Sequence, residues 1–285
     1  MPATRLTTKR VEKPWGRNDL WPGFDDVKSG DPVGEVWFQV PGAPADGPEL
    51  LIKYLFTSEK LSIQVHPDDA AARAAGYPRG KDEAWVIRAA EPHATIGIGL
   101  RETVTREALH AAALDGSIEA LLDWKPVKAG DFFYSPAGTV HAIGPGLTLI
   151  EVQQNVDLTY RLYDYGSNRE LHLEAGIAVS DPVPYVAAHS PQVLGRGRTV
   201  LANGPKFVLE RWSVDGGGEL APQAGRPVWL VPVAGGGEIG GERFTAGETW
   251  LVDGAAALTV LPGSDLVIAY PGSAVIDRLW SGFRG

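Results

Sequence analysis

The stretch Gly130-Asp131-Phe132-Phe133-Tyr134-Ser135-Pro136-Ala137-Gly138-Thr139-Val140-His141 governs the reading of this chain. Gly130 and Asp131 turn the backbone, the aromatic run after them favours an extended strand, and Pro136 with Gly138 makes a second, tight turn. His141 is thereby delivered near the start of a further strand, whose apolar residues include Leu147, Leu149 and Ile150. A lone histidine in such a place is more often structural than a ligand. The whole pattern of turn, aromatic strand, turn and histidine is far rarer, and it predicts that His141 binds a metal.

Upstream, Leu61-Ser62-Ile63-Gln64-Val65-His66 alternates apolar and polar residues, so a strand would point Gln64 and His66 to one side. Such a polar face can simply be solvated, as on any half-exposed antiparallel strand. The 130–141 pattern resembles the second signature of the cupin β-barrels, and a barrel interior can instead hold a polar site. A third piece, Gly80-Lys81-Asp82-Glu83-Ala84-Trp85-Val86-Ile87, leads a charged cluster into an alternating strand, with Lys81 and Glu83 on one face. By itself Lys-Asp-Glu reads as a surface turn. Beside the other two motifs, Glu83 offers a carboxylate to a site holding one amide oxygen and two imidazoles. Zinc accepts such donors and, in catalytic sites, keeps a position open.

Further on come Glu151, Asn155, Asp157 and Arg161. The ordered set Gln-x-His-Pro, Lys-x-Glu, Pro-x-Gly-x-x-His-Ala, a glutamate and Asn-x-Asp-x-x-x-Arg resembles the type I mannose-6-phosphate isomerases. Lys13-Pro14-Trp15-Gly16 and Gly34-Glu35-Val36-Trp37 resemble that family's opening motifs, and the likeness runs over roughly residues 11–181. It implies one zinc ion per chain held by Gln64, His66, Glu83 and His141, with Lys81, Glu151, Asp157 and Arg161 lining the active-site pocket. The helical insertion of the larger family members is at most small here.

Composition agrees. With 35 Gly, 22 Pro and short Val/Leu/Ile/Trp runs between turns, the 285 residues read as mainly β. The expected architecture is a cupin-type β-barrel or jelly roll with short helical insertions, followed by a second, degenerate cupin-like lobe. No cysteine is present, which excludes disulfides and thiolate-ligated zinc. The first residues lack a signal-peptide apolar core and no run is long enough to span a membrane, so a cytoplasmic protein without a membrane partner is expected. A net charge of −9 argues against nucleic acid as a partner. The same charge would repel a sugar phosphate, so local cations, Arg161 and Lys81, must capture it. In its structural reading Arg161 is a surface residue paired with Asp157 or Asp164. A monomer or weak homodimer is expected.

Helical patterns interrupt the strands at 68–75 and at 105–124, where Leu114, Ile118, Leu121 and Leu122 recur at helical spacing and Gly116 breaks the run. Both read as caps on the barrel. The aperiodic stretch 182–197 marks the boundary between a catalytic domain, 1–185, and a C-terminal domain, 186–285. In the latter, Ala246-Gly247-Glu248-Thr249-Trp250-Leu251-Val252-Asp253-Gly254 echoes the 129–137 segment but has no histidine where His141 would fall. His93, His110, His172 and His189 have no ligand partners at suitable spacing and read as structural or exposed. Trp212, Trp229 and Trp250 read as core.

The function implied by the resemblance is a metal-dependent aldose–ketose isomerase interconverting mannose 6-phosphate and fructose 6-phosphate through an enediol(ate). Lys81, Glu151 and Asp157 are the candidates for the C–H proton, and Arg161 for the anionic oxygens. The alternatives are an isomerase of a related or unphosphorylated hexose, a non-catalytic sugar-binding cupin, and an iron-dependent cupin oxygenase, which Gln64 as an extra ligand disfavours.

Overall fold

The computed structural model describes residues 2–25, 30–44, 47–187 and 190–284. His189 lies outside them. The chain divides into two compact units, one of Arg10–Trp37 and Lys53–Ala187, the other of Met1–Lys9, Phe38–Ile52 and Ala188–Gly285. The principal cut, between 187 and 188, falls inside the aperiodic 182–197 stretch. The shorter N-terminal pieces are cut within continuous strands, Thr7–Arg17, Val33–Gln39 and Leu50–Thr57, where no change of composition marks them.

Two antiparallel sheets build the first unit. One has the strand order Thr7–Arg17, Val33–Gln39, Leu50–Thr57, Leu147–Gln154, Glu83–Ala90, Phe132–Ser135. The other runs Tyr160–Tyr163, Ile63–Val65, His141–Ile143, Thr95–Leu100, Leu122–Pro126. Because side chains alternate across a strand, each contributes an inward row that changes character along its length. Lys53 gives way to Leu55, Glu83 to Trp85 and Ile87, His141 to Ile143, and Glu151 to Leu149 and Leu147. The apolar members, with Ile96 and Ile98, form one buried cluster joining the two sheets. The sandwich is therefore oily at one end and polar at the other.

The outer face of the smaller sheet is covered by helices. Ile63, Val65, Ala142 and Leu162 pack there against Leu109, Ala112, Ala113 and Ile118. The 105–124 segment forms two helices, Arg106–Asp115 and Ile118–Leu121, separated by Gly116 in the left-handed region at φ 84°. Leu114, expected in the apolar stripe, is exposed instead; Leu109, Ala112 and Ala113 provide the buried face. The 68–75 pattern forms the helix Asp69–Ala74, whose N-cap Asp68 accepts from the Ala71 N–H at 2.8 Å.

One expectation changes. The sequence predicts one strand from His141 carrying Leu147, Leu149 and Ile150, whereas His141–Ile143 and Leu147–Gln154 are separate strands in different sheets. Gly144-Pro145-Gly146 turns the chain between them: the Gly144 N–H bonds Thr95 in the smaller sheet, and the Gly146 N–H bonds Thr57 in the larger. Pro145 has no N–H to continue either ladder.

The second unit is also two-layered, with a seven-stranded sheet and a five-stranded one that includes the Gly216–Leu220 and Ala256–Val260 strands. The 246–254 echo supplies the Trp250–Val252 strand, and Trp212, Trp229 and Trp250 are all buried. Arg198 forks onto the buried Glu210 at 2.9 Å through both Nε and Nη2. Trp212 and Tyr270 donate to the same carboxylate, so this interior charge is fully partnered. Among the described residues no helix is long and apolar enough to cross a membrane.

Candidate active site

Register assembles the polar end. On the smaller sheet Gln64 lies directly opposite His141 on one side and Arg161 on the other. Directly opposed residues share a face, so three adjacent strands project Arg161, Gln64 and His141 in one row. On the larger sheet Gln153 opposes Glu83 and Glu151 opposes Trp85, which puts the two glutamates on the same inward face.

The Lys81-Asp82-Glu83 cluster is buried, not a surface turn. Glu83 faces both histidines: His141 Nε2 is 3.0 Å from Oε1 and His66 Nε2 is 3.4 Å from Oε2. Lys81 Nζ stands 3.0 Å from Oε2 and 3.1 Å from His66 Nε2. The opposite ring nitrogens are committed to main-chain carbonyls, His66 Nδ1 to Leu158 O and His141 Nδ1 to Thr139 O, both at 2.9 Å. Only protonated Nδ1 can bond a carbonyl, so in the neutral form of either ring the lone pair is on Nε2, which faces inward. Burial, reinforced by Lys81, depresses His66 to about 3 and keeps the ring neutral. Burial pushes Glu83 the other way, but Lys81 and the two imidazoles outweigh it and hold the carboxyl well below its usual range.

This arrangement has the form of a cation site. His66, Glu83 and His141 are all buried and their donor atoms lie within 4.8 Å of one another. Neither Glu83 oxygen makes an aligned hydrogen bond, so the carboxylate faces the two histidines with Lys81 as its only cationic neighbour among the described residues. Their 3.0–3.4 Å separations approach the spacing of about 3.3 Å expected between ligands of a tetrahedral zinc with bonds near 2.05 Å. Gln64 adjoins the group, its amide nitrogen 3.2 Å from His141 Nε2 and its Oε1 accepting from Ser62. Two imidazoles, a carboxylate and an amide suit zinc and exclude nothing in its chemistry.

A cavity of about 330 Å³ opens beside these donors, lined among others by Gln64, Lys81, Glu151, Asp157 and Arg161. Asp157 is exposed; Lys81 and Glu151 are buried. The alternative reading of Arg161 as a surface partner of Asp164 is not met, because Arg169 occupies that carboxylate at 2.7 and 2.5 Å. Among the described residues no carboxylate pairs with the Arg161 guanidinium.

The cavity wall also contains charged residues that sequence reading left without a role. Four neighbouring strands place Glu35, Lys53, Glu151 and Trp85 in a row. Lys53 Nζ is 3.5 Å from Glu35 and 3.3 Å from Glu151, and the Trp85 indole donates to Glu151 at 3.2 Å. Lys13 joins from the other side at 3.5 Å from Glu35. Burial would raise the Glu35 carboxyl, but Lys53 and Lys13 hold it down at about 2. Lys53 itself is raised, its burial outweighed by Glu35 and Glu151. A signal for Lys53 existed: one lysine in the apolar run Leu50-Leu51-Ile52-Lys53-Tyr54-Leu55-Phe56 must find buried anions. His172, expected to be structural, lines this cavity as well, whereas His110 instead contacts Glu174 and lies away from it.

Fold and site together define a cupin-type β-sandwich with a candidate metal site and a charged interior pocket. No protein-family model matches the sequence. The mannose-6-phosphate isomerase of Streptococcus mutans is 40% identical over 200 residues, covering 67% of this chain and 62% of that enzyme. Mannose-6-phosphate isomerase ManA of Bacillus subtilis is 36% identical over 244 residues, covering 81% of this chain and 74% of its own length. The crystal structure of the mannose 6-phosphate isomerase from Bacillus subtilis superposes with a TM-score of 0.79 at 27% identity, covering 93% of this chain and 98% of that one. The chain belongs to the mannose-6-phosphate isomerase family. It spans less than two thirds of the length of the Streptococcus mutans relative.

Proposed function

We propose that this protein is a zinc-dependent isomerase interconverting mannose 6-phosphate and fructose 6-phosphate, with one zinc per chain held by Gln64, His66, Glu83 and His141. The observation that carries the reading is the convergence of two buried imidazole Nε2 atoms and a buried carboxylate beside a cavity lined by Lys81, Glu151 and Arg161. The resident zinc would supply positive charge to polarise the sugar carbonyl and stabilise the enediolate oxygens.

The chain's own groups supply binding and proton movement. The base takes the proton from C2, the C2–H electrons form the C1=C2 bond, and the C1 carbonyl becomes an enediolate oxygen. Return of a proton to C1, with loss of the O2 proton, leaves the C2 ketone. Among the buried titratable residues that line the cavity, Lys81 and Glu151 are our candidates for this transfer. Glu151 is fixed in orientation by Lys53 and Trp85, and Lys81 by Glu83. Asp157, exposed at the rim, suits exchange of the hydroxyl proton with solvent, and Arg161 suits an anionic oxygen of the substrate. The second unit, whose echo of the motif has no histidine, serves packing and not chemistry.

The test combines metal analysis with a coupled isomerase assay across phosphorylated and free aldoses. Chelation should abolish mannose 6-phosphate turnover and zinc should restore it, at one metal per chain. Full activity in a metal-free preparation, or preference for a free hexose, would overturn the reading.

A further inference from the structure

The chain leaves the smaller sheet after Tyr160–Tyr163 and returns to the cavity ten residues later. The return is stitched at Arg161 and His172: the His172 N–H donates to Arg161 O at 2.8 Å, and the Arg161 N–H donates to His172 Nδ1 at 3.3 Å. The loop thus closed brings Arg169 and His172 to the same cavity wall as Arg161.

Each of the three presents an unused donor. Arg161 has no ion pair among the described residues. Arg169 is clamped on one edge, its Nε and Nη2 forked onto the buried Asp164, which also accepts from Ser167. The clamp fixes the guanidinium plane and leaves Nη1, with two N–H bonds, uncommitted among the described residues. Since His172 Nδ1 accepts a main-chain N–H, its proton sits on Nε2, where the nearest carboxylate is the exposed Glu170 at 4.0 Å. The remaining anions of the cavity are placed differently. Glu35 and Glu151 are engaged by Lys53, and Asp157 lies at the rim.

On the isomerase reading above, Arg161, in register with Gln64, offers one guanidinium to the substrate's anionic oxygens. A phosphate monoester has further acceptor oxygens and needs other donors beside it. We propose that Arg169 and His172 form the phosphate-gripping subsite of this cavity and, with Arg161, set its preference for phosphorylated over free sugar. Two N–H groups on a preoriented guanidinium and one on an imidazole match the acceptor oxygens of a phosphate monoester, and each charge-assisted contact strengthens in a partly desolvated pocket. Asp164 neutralises part of the Arg169 charge, so this residue contributes chiefly direction and His172 a second point of attachment.

The test reads phosphate directly. Inorganic phosphate is titrated calorimetrically into zinc-loaded wild type, Arg169→Lys, His172→Ala and His172→Gln, and mannose 6-phosphate KM and kcat are measured in parallel. Arg169→Lys keeps a cation for the buried Asp164, so it should fold and retain metal. It should nevertheless weaken phosphate binding and raise KM by about ten-fold or more, with a smaller change in kcat. His172→Ala should do the same, and His172→Gln, which restores an N–H near the Nε2 position, should recover part of the loss. Phosphate binding and KM unchanged within two-fold in folded Arg169→Lys and His172→Ala would overturn the proposal, as would failure of wild type to bind phosphate. A wild type that binds phosphate through these residues but does not turn over mannose 6-phosphate would defeat the isomerase reading alone.

Discussion

Replacing Lys53 by methionine tests whether the charged row on the larger sheet is an integrated part of the pocket wall. Lys53 Nζ lies 3.5 Å from Glu35 and 3.3 Å from Glu151, and all three side chains are largely withdrawn from water. At an effective dielectric constant of 20, each contact is worth about 5 kcal/mol of attraction. Desolvation of the ammonium offsets much of this, but methionine leaves two carboxylates buried and facing each other. Breaking a buried pair in this way costs about 3–5 kcal/mol. Urea unfolding of the metal-loaded protein should therefore show Lys53→Met destabilised by that amount with an unchanged m-value. The double variant Glu35→Gln, Lys53→Met removes one orphaned charge and should recover about 1–2 kcal/mol, a coupling that a double-mutant cycle isolates. A single variant within 1 kcal/mol of wild type, or no recovery in the double, would show that the row is solvated and that the argument from buried charge fails.

Three other outcomes follow from the same geometry. Arg161→Ala should lower kcat/KM for mannose 6-phosphate by roughly thirty- to a thousand-fold, as expected for losing a charge-assisted contact of ~2–4 kcal/mol; an equal proportional loss on free mannose would assign Arg161 to the reacting carbons, and no loss on either would return it to the surface. Glu35, held at about 2 against an ordinary 4.5, contributes stability that is complete above pH 4.5 and lost as pH falls toward 2. Glu35→Gln should thus be destabilised by about 3 kcal/mol near neutrality, with the gap closing between pH 5 and pH 2 in acid-unfolding curves; a pH-independent gap would contradict the assignment. Gly138 has φ 88°, and an added Cβ would lie 2.5 Å from Asp181 Oδ2, so Gly138→Ala should lose about 1–3 kcal/mol of stability and bind metal more weakly by calorimetry; wild-type values for both would refute the turn's role in placing His141.

The parts of the site that could be read ahead of the structure are those encoded by short spacing. Gln64 with His66, Lys81 with Glu83, and the turn before His141 each need only the two-residue period of a strand or a Pro-x-Gly turn to place them. What escaped reading depends on strand order. Nothing near Lys53 in the chain shows that Glu35 and Glu151 will be its neighbours, because that follows from three strands lying side by side. His172 was passed over for the same reason: its partner is the main chain of Arg161, across a closed loop. The separation of His141 from Leu147 had a local sign, Gly144-Pro145-Gly146, whose meaning as a passage between sheets appears only once both sheets exist. Leu114 shows the converse error, since helical spacing identifies a stripe but not which side of it meets the core.

Asp82, between Lys81 and Glu83, points away from the metal donors and ties the three motifs together. Its carboxylate accepts from the Tyr134 hydroxyl at 2.6 Å and from the Ala137 N–H inside the turn leading to His141, while its main chain exchanges hydrogen bonds with Gln154. The candidate metal donors are thus braced by a residue outside their own group. Because these hydrogen bonds lie wholly within the chain, the spacing of the candidate donors is set by folding.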